Sequence, residues 1–371
     1  MQDFQLFIKP VGASCNLECS YCYYLHNEEL PAAATHMSDE LLEACIVQQI
    51  AAASGADPFF TWHGGEPLLA GIPFFRRVVA LQAKHCPPGL TVKNGVQTNG
   101  TLINEEWCQF FVENSFHVGV SLDGPKPLHN RFRATKGGGD TFDRAVAGYR
   151  LLSQYSVSRE LLCVVHAENV LYPLEVYRFF KSLGVPYLSF LPLVHLTPSR
   201  RVSASSVPAD LYGAFLCAIF DEWVAADIGE VKIQIFEESL RTAFLQEHTL
   251  CIFRPECGRV PVLEAHGDLY SCDHYVRKSH LLGNIMEIPL SVLLESQPQR
   301  SFGSAKENTL PRTCLTCSVL PMCNGGCPKD RFLVSDLGEA GLNYLCEGYK
   351  LFFTHCTPFV EKVARVWRAQ G

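Results

Sequence analysis

Seventeen cysteines in 371 residues constrain this chain more than any other feature, because eleven of them fall into two groups with ligand-like spacing. The first group is Cys15, Cys19 and Cys22, in the stretch CNLECSYC. The second is Cys251, Cys257, Cys272, Cys314, Cys317, Cys323, Cys327 and Cys346. The opening MQDFQLFIKP has no basic segment followed by an apolar run, so it does not read as a signal peptide. A cytoplasmic location is expected, where thiols stay reduced and a disulfide framework does not form. The other six, Cys45, Cys86, Cys108, Cys163, Cys217 and Cys356, stand in apolar surroundings and read as small buried hydrophobes.

Composition narrows the function classes. With 31 basic and 38 acidic residues the net charge is −7, which does not favour a nucleic-acid partner. No apolar run reaches membrane-spanning length, so no membrane partner is expected. A hydrophobic fraction of 47% with 19% charged residues suits a folded globular chain with room for two domains.

From the start to about residue 235, strand-like and helix-like stretches alternate. Candidate strands are 4–9, 58–63, 90–98, 116–122, 160–166 and 187–193. Between them lie helical patterns at 38–54, opening on Ser38, at 72–85, after Asn104, at 140–154 and at 173–184. Six such units imply an α/β fold with a parallel sheet, a partial (β/α)6 TIM-like barrel over residues 1–235. Chemistry in such folds sits at the C-terminal strand ends. The polar stretch 195–210 reads as a long loop over the barrel mouth. Residues 236–371 form a second, cysteine-rich domain closed by a C-terminal helix and held together by metal rather than by a large core.

Three thiolates are one short of the four that a cubane iron–sulfur cluster or a structural zinc normally takes. The C-x3-C-x2-C spacing, with Tyr21 before the last cysteine and Tyr23 after it, therefore leaves one metal position open. WHGGEP (62–67), QTNGTL (97–102) and SLDGP (121–125) follow the second, third and fourth strands. These motifs together resemble the radical S-adenosylmethionine enzymes. That resemblance implies a 4Fe–4S cluster whose open iron takes the amino and carboxylate groups of S-adenosylmethionine. It also implies that Gly64, Gly65 and Glu66 bind the amino group and that Ser121 and Arg133 meet the carboxylate. Tyr21, Gln97, Asn99 and Asp123 would line the pocket.

The eight later cysteines make two complete sets of four, and full ligation suits electron transfer rather than substrate binding. Structural zinc is the competing reading, since C-x2-C is also zinc spacing. The arrangement resembles the SPASM extension of radical S-adenosylmethionine peptide-modifying enzymes, and most of all the anaerobic sulfatase-maturating enzymes. By that resemblance Cys251, Cys257, Cys272 and Cys327 hold one auxiliary cluster and Cys314, Cys317, Cys323 and Cys346 the other, giving three 4Fe–4S clusters in all. The family reaction oxidises a cysteine or serine of a peptide or unfolded sulfatase to formylglycine. Asp273, directly after Cys272, stands where the family has its general base, and Tyr24 where it holds the substrate peptide. A flavodoxin- or ferredoxin-type reductant is implied. Two positions depart from the pattern: His63 stands where some relatives have glutamine, and His195 where many have an acidic residue. Two other functions compete: a maturase forming thioether, carbon–carbon or epimerised products in ribosomal peptides, and an iron–sulfur electron carrier or scaffold.

Overall fold

A computed structural model of the chain describes residues 4–25 and 36–370. Met1 to Asp3 of the N-terminal stretch read above lie outside the described residues. The chain divides into two compact units, each assembled from several segments. The first comprises Met1–Leu122, Asn130–Glu160 and Gly258–Gly303, and the second Asp123–His129, Leu161–Cys257 and Ser304–Gly371.

The first unit is built on a sheet in the order β10-β9-β8-β1-β2-β3-β4. Its members are β1 (Leu6–Ile8), β2 (Phe59–Trp62), β3 (Lys93–Thr98), β4 (Phe116–Ser121), β8 (Val262–Leu263), β9 (Asp268–Tyr270) and β10 (Leu281–Asn284). Strands β1 to β4 pair in parallel, with Leu6 opposite Phe60, Trp62 opposite Val96 and Gln97 opposite Gly119. Parallel pairing brings the residues after Ile8, Trp62, Thr98 and Ser121 to the same edge.

The helices between these strands start where their caps dictate. The Ser38 hydroxyl accepts from the Leu41 N–H and opens Asp39–Ala52, and Asn104 Oδ1 accepts from the Trp107 N–H and opens Glu105–Glu113. The apolar faces of Gly71–His85 and Glu105–Glu113 meet the sheet in a ring cluster. Phe75 stands edge-on to Trp62, Trp107 and Phe116, with centroids 5.7, 5.4 and 6.1 Å away. Burying one such ring contributes about 1.5–3 kcal/mol. The Trp62 indole donates to Asn94 Oδ1, which also accepts from Gln82, so the buried polar atoms here are paired.

In the second unit β5 (Ser158–Val165, its first three residues in the first unit), β6 (Tyr187–Pro192) and β7 (Lys232–Ile233) run parallel in that order. Two long helices, Ala209–Ala226 and Cys346–Gln370, cross so closely that a Cβ on Gly348 would lie 2.0 Å from the Ala209 carbonyl oxygen. Phe220 packs on Phe236 and Phe352 beneath that crossing.

The six strands and five helices expected from the sequence are present, within three residues at each end. The stretch 195–210 is irregular up to Pro208, closed by a bridge between Leu196 and Val202. The two units do not follow a division at residue 235. Residues 258–303 join the first unit because β8 pairs in parallel with the free edge of β1, Phe7 opposite Val262 and Ile8 opposite Leu263. No described helix is long and apolar enough to cross a membrane.

Candidate active site

The loop after β1 carries Cys15, Cys19 and Cys22, and three neighbouring segments of the first unit fix its shape. The Gly65 N–H donates to the Gly12 carbonyl at 2.9 Å and the Glu66 N–H to the Ser14 carbonyl at 2.8 Å. A Cβ on Gly65 would fall 2.1 Å from the Ser14 carbonyl oxygen, so only glycine permits this approach. The Asn99 side-chain amide, after β3, donates to Asn16 Oδ1 at 2.8 Å and lies 3.8 Å from the Cys15 sulfur. On the other side the Glu18 and Ser20 N–H groups donate to the carbonyls of Ala134 and Phe132.

The three sulfurs are thus presented by a loop with little freedom. Cys15 Sγ accepts from the Leu17 N–H and Cys22 Sγ from the Leu25 N–H, both at 3.4 Å. Such bonds favour thiolate and so suit an iron ligand. Burial pushes the Cys15 thiol up to about 11, so proton release there is coupled to metal binding. Three soft thiolates in the described part of this loop suit a cluster with one open iron.

The residues expected around S-adenosylmethionine take different positions. Gln97 and Ser121 meet on the sheet edge, the Gln97 amide donating to the Ser121 hydroxyl at 3.1 Å. Arg133 is nearly buried, with its guanidinium 5.4 Å from the Tyr21 ring centre. Glu66 is fully buried and faces inward: its carboxylate accepts from the Leu68 N–H, the Thr98 hydroxyl and the Asn99 N–H at 2.8–3.0 Å. Burial raises it to about 7, opposed by those donors. Asp123 belongs to the second unit, where its carboxylate accepts from the Val164 N–H and its carbonyl from the Asn169 amide. The side chains of Glu66, Asn99 and Asp123 are therefore engaged in holding strand-end loops.

Asp273 opens a short 3-10 turn directly after Cys272 and is buried. Its Oδ1 lies 2.5 Å from the Lys9 ammonium, and its Oδ2 accepts from the Tyr23 hydroxyl. Lys9 follows β1, is fully buried, and stands 3.3 Å above the Tyr24 ring centre and 3.9 Å from Glu264. Burial would raise the Asp273 carboxyl, but the Lys9 ammonium, with His63 and His274, holds it well below the usual carboxylate range. Asp273 is therefore ionised and acceptor-ready at neutral pH. His63, stacked on Phe7 at 5.0 Å, is pushed down to about 4 by burial and is neutral. Its Nδ1 accepts from the Gly64 N–H at 2.8 Å, so the proton is on Nε2.

Tyr24, expected at the substrate, is only 3% exposed, and its hydroxyl donates to Glu264. Its neighbour Tyr23 is 44% exposed and carries the hydroxyl on Asp273. The sequence reading missed Lys9, Tyr23 and Glu264 as members of this constellation. A lysine at the end of a buried first strand was the available signal for Lys9. Nothing local marked Glu264.

In the second unit Cys314, Cys317, Cys323 and Cys346 line one cavity of about 350 Å³. Four thiolates lining one cavity suit a fully ligated iron–sulfur cluster or a structural zinc. Cys251, Cys257 and Cys327 belong to the same unit, and Cys272 to the first. His195 is exposed on the irregular stretch after β6, its N–H donating to the Ser206 hydroxyl.

Comparison with known proteins agrees with this chemistry. The family model of the Radical SAM superfamily matches residues 10–180, and that of an iron–sulfur cluster-binding domain, SPASM, matches 251–318. A serine-type anaerobic sulfatase-maturating enzyme of Bacteroides thetaiotaomicron is 41% identical over 96% of this chain and 90% of its own length. A cysteine-type enzyme of Clostridium perfringens is 35% identical over 98% and 99%. The solved structure of native anSMEcpe with bound AdoMet and Cp18Cys peptide superposes with a TM-score of 0.89 at 33% identity, covering 98% of this chain and all of that one.

Proposed function

The chain belongs to the radical S-adenosylmethionine family of anaerobic sulfatase-maturating enzymes, and on that premise we propose that it oxidises a cysteine or serine side chain of a sulfatase to formylglycine with Asp273 as the base. The observation that carries the assignment of the base is the buried Lys9–Asp273 pair, closed by the Tyr23 hydroxyl, in the same unit as the three-cysteine loop.

Cys15, Cys19 and Cys22 would hold the cluster that binds S-adenosylmethionine, and the eight cysteines of the second group would hold two more. When bound, these groups would supply the radical chemistry that removes a hydrogen atom from the substrate Cβ, and an acceptor for the second electron. The Gly64–Gly65 backbone, Gln97, Ser121 and Arg133 orient the S-adenosylmethionine, with Tyr21 packing against Arg133. Glu66, Asn99 and Asp123 keep the strand-end loops that carry those groups in place.

After hydrogen removal the substrate is a carbon radical beside an O–H or S–H group. Loss of one proton and one electron gives the aldehyde, or a thioaldehyde that water converts to aldehyde and hydrogen sulfide. The oxidised species is strongly acidic, so a carboxylate held ionised can accept its proton despite being a weak base. Lys9 keeps Asp273 in that state, and Tyr23 orients it. Tyr24 acts indirectly, placing its ring under the Lys9 ammonium and its hydroxyl on Glu264.

The substrate is an unfolded segment of the sulfatase, and a flavodoxin- or ferredoxin-type protein of the cytoplasm would supply the electron for the first cluster. Residues 1–235 correspond to the radical domain and 236–371 to the SPASM extension in this scheme. The test is anaerobic reconstitution, reduction, and addition of S-adenosylmethionine with peptides carrying Cys-x-Pro-x-Arg or Ser-x-Pro-x-Arg. Mass spectrometry follows 5′-deoxyadenosine and the peptide together. Deoxyadenosine with conversion to the aldehyde is the expected result. Deoxyadenosine with both peptides unchanged redirects the enzyme to ribosomal peptide substrates, and neither product with intact clusters returns it to an electron carrier.

A further inference from the structure

Two cations of the second unit are enclosed among the ligand loops and take no part in the chemistry described so far. Lys306, on the helix Gln297–Asn308, is only 1% exposed. Its three ammonium protons match three carbonyl oxygens, those of Cys251 and Ile252 at 2.9 Å and that of Arg254. Arg331 sits just beyond the loop from Cys323 to Cys327. Its guanidinium donates to the carbonyls of Asn324 and Gly325 at 2.9 Å, of Gly326 at 3.4 Å and of Lys306 at 2.5 Å.

The local backbone is shaped for this arrangement. Asn324, Gly325 and Gly326 are consecutive left-handed residues, with φ of 44°, 72° and 62°. Three carbonyls thereby turn to one guanidinium, and a Cβ on Gly325 would lie 2.5 Å from Arg331 Nη2. The Asn324 amide donates to the Phe253 carbonyl at 2.7 Å, tying this loop to the one that begins at Cys251. Both cations end on carbonyls, and among the described residues neither pairs with a carboxylate. The nearby Asp330 is taken by Lys329 at 2.6 Å. Cys251, Cys257 and Cys327 lie within electrostatic reach of Lys306, and Cys257, Cys314, Cys323 and Cys327 within reach of Arg331. One fixed charge therefore faces cysteines assigned to both auxiliary sites.

On the reading that these cysteines hold iron–sulfur clusters, we propose that Lys306 and Arg331 form a cationic clamp that fixes the Cys251 and Cys323–Cys327 loops and raises the reduction potential of the auxiliary centres. Four thiolates make such a centre anionic, and reduction adds one more negative charge. A desolvated cation nearby stabilises the reduced form more than the oxidised one. The electron released as the substrate becomes an aldehyde then has a more favourable acceptor. Both residues act through the ligand loops and touch no substrate, so their role is positional and electrostatic.

The test is a redox titration of the reconstituted enzyme followed by electron paramagnetic resonance. S-adenosylmethionine is added to separate the first cluster, whose spectrum alone responds to a ligand on its open iron. In Lys306→Met and Arg331→Gln the reduced-to-oxidised ratio of at least one auxiliary centre at fixed potential should fall about tenfold, a shift of ~59 mV for a one-electron couple. Lys306→Arg and Arg331→Lys, which keep the charge, should remain close to wild type. Unchanged potentials in the neutral variants at full iron content would overturn the proposal. So would loss of iron in both neutral variants and both conservative ones, which would make the pair structural only. Wild-type protein with no iron beyond the first cluster would instead refute the reading of the second cysteine group.

Discussion

The Lys9 ammonium lies 2.5 Å from the Asp273 carboxylate, with both side chains buried, so the proposed base and the charge that keeps it ionised come from segments far apart in the sequence. Sheet topology brings them together. Lys9 follows β1, Glu264 follows β8 on its neighbouring edge, and the Lys9 N–H donates to the Leu263 carbonyl at 3.0 Å.

Removing the ammonium leaves Asp273 in a buried site with its largest stabilising charge gone. Lys9→Met should lower kcat by about 10²-fold, the lower end of what general-base catalysis contributes. The sign of the pH effect follows from burial, which then pushes the carboxyl up. Wild-type Asp273 is held below the usual range and stays ionised through mildly acidic pH. The variant should gain an acid limb that recovers as pH rises, read from rates between pH 5.5 and 8.5 at constant iron content. An unshifted limb would remove Lys9 from the chemistry.

Gly65 has no side chain, yet the cysteine loop depends on it. Gly65→Ala puts a methyl 2.1 Å from the Ser14 carbonyl oxygen, and backbone must move to relieve it. We expect a loss of about 3 kcal/mol, the upper end for overpacking, and failure to retain iron at Cys15, Cys19 and Cys22. Gly137→Ala is the control, since nothing lies within 4 Å of its added Cβ. Melting temperature and iron per chain, measured on both variants, decide the matter.

Glu66 gives a pH dependence of opposite sign to a salt-bridged carboxylate. Its folded value is raised to about 7, so between the unfolded value near 4.5 and that point the native state binds more protons than the unfolded chain. Its contribution is full below the unfolded value and is lost as pH rises through the folded one. Glu66→Gln should flatten the decline in melting temperature between pH 5 and pH 8 and should cost stability at pH 8, where one backbone donor loses its acceptor. An identical pH profile for variant and wild type would show that Glu66 is ionised throughout.

The parallel strands were legible because they combine apolar runs with clear stops, such as Pro173 opening its helix and Gly184 closing it at φ +65°. The helix Ala209–Ala226 was not, since LYGAFLCAIF is apolar on every face and shows no stripe. Strands β8 and β9, two and three residues long, carry too little pattern to be read, and their pairing with β1 is a tertiary fact. The same distinction runs through the site. Cys15, Cys19 and Cys22 announce themselves by spacing within one loop. The Lys9–Asp273–Tyr23 constellation joins segments whose proximity only the sheet order creates.

Tyr23 and Tyr24 are adjacent in sequence and face different carboxylates, so one pair of conservative variants separates catalysis from support. Tyr23→Phe removes the donor to Asp273 Oδ2 from a side chain that is already 44% exposed. The fold should tolerate this, while kcat falls about tenfold, equivalent to the ~1.4 kcal/mol of one oriented hydrogen bond. Tyr24→Phe leaves the buried Glu264 without its donor, which costs about 1–3 kcal/mol of stability. Its melting temperature should drop while kcat per intact cluster changes little. If instead Tyr24→Phe abolishes turnover at full iron content and Tyr23→Phe does not, the hydroxyl that matters to the substrate belongs to Tyr24. Asp273 would then act without the partner assigned to it here.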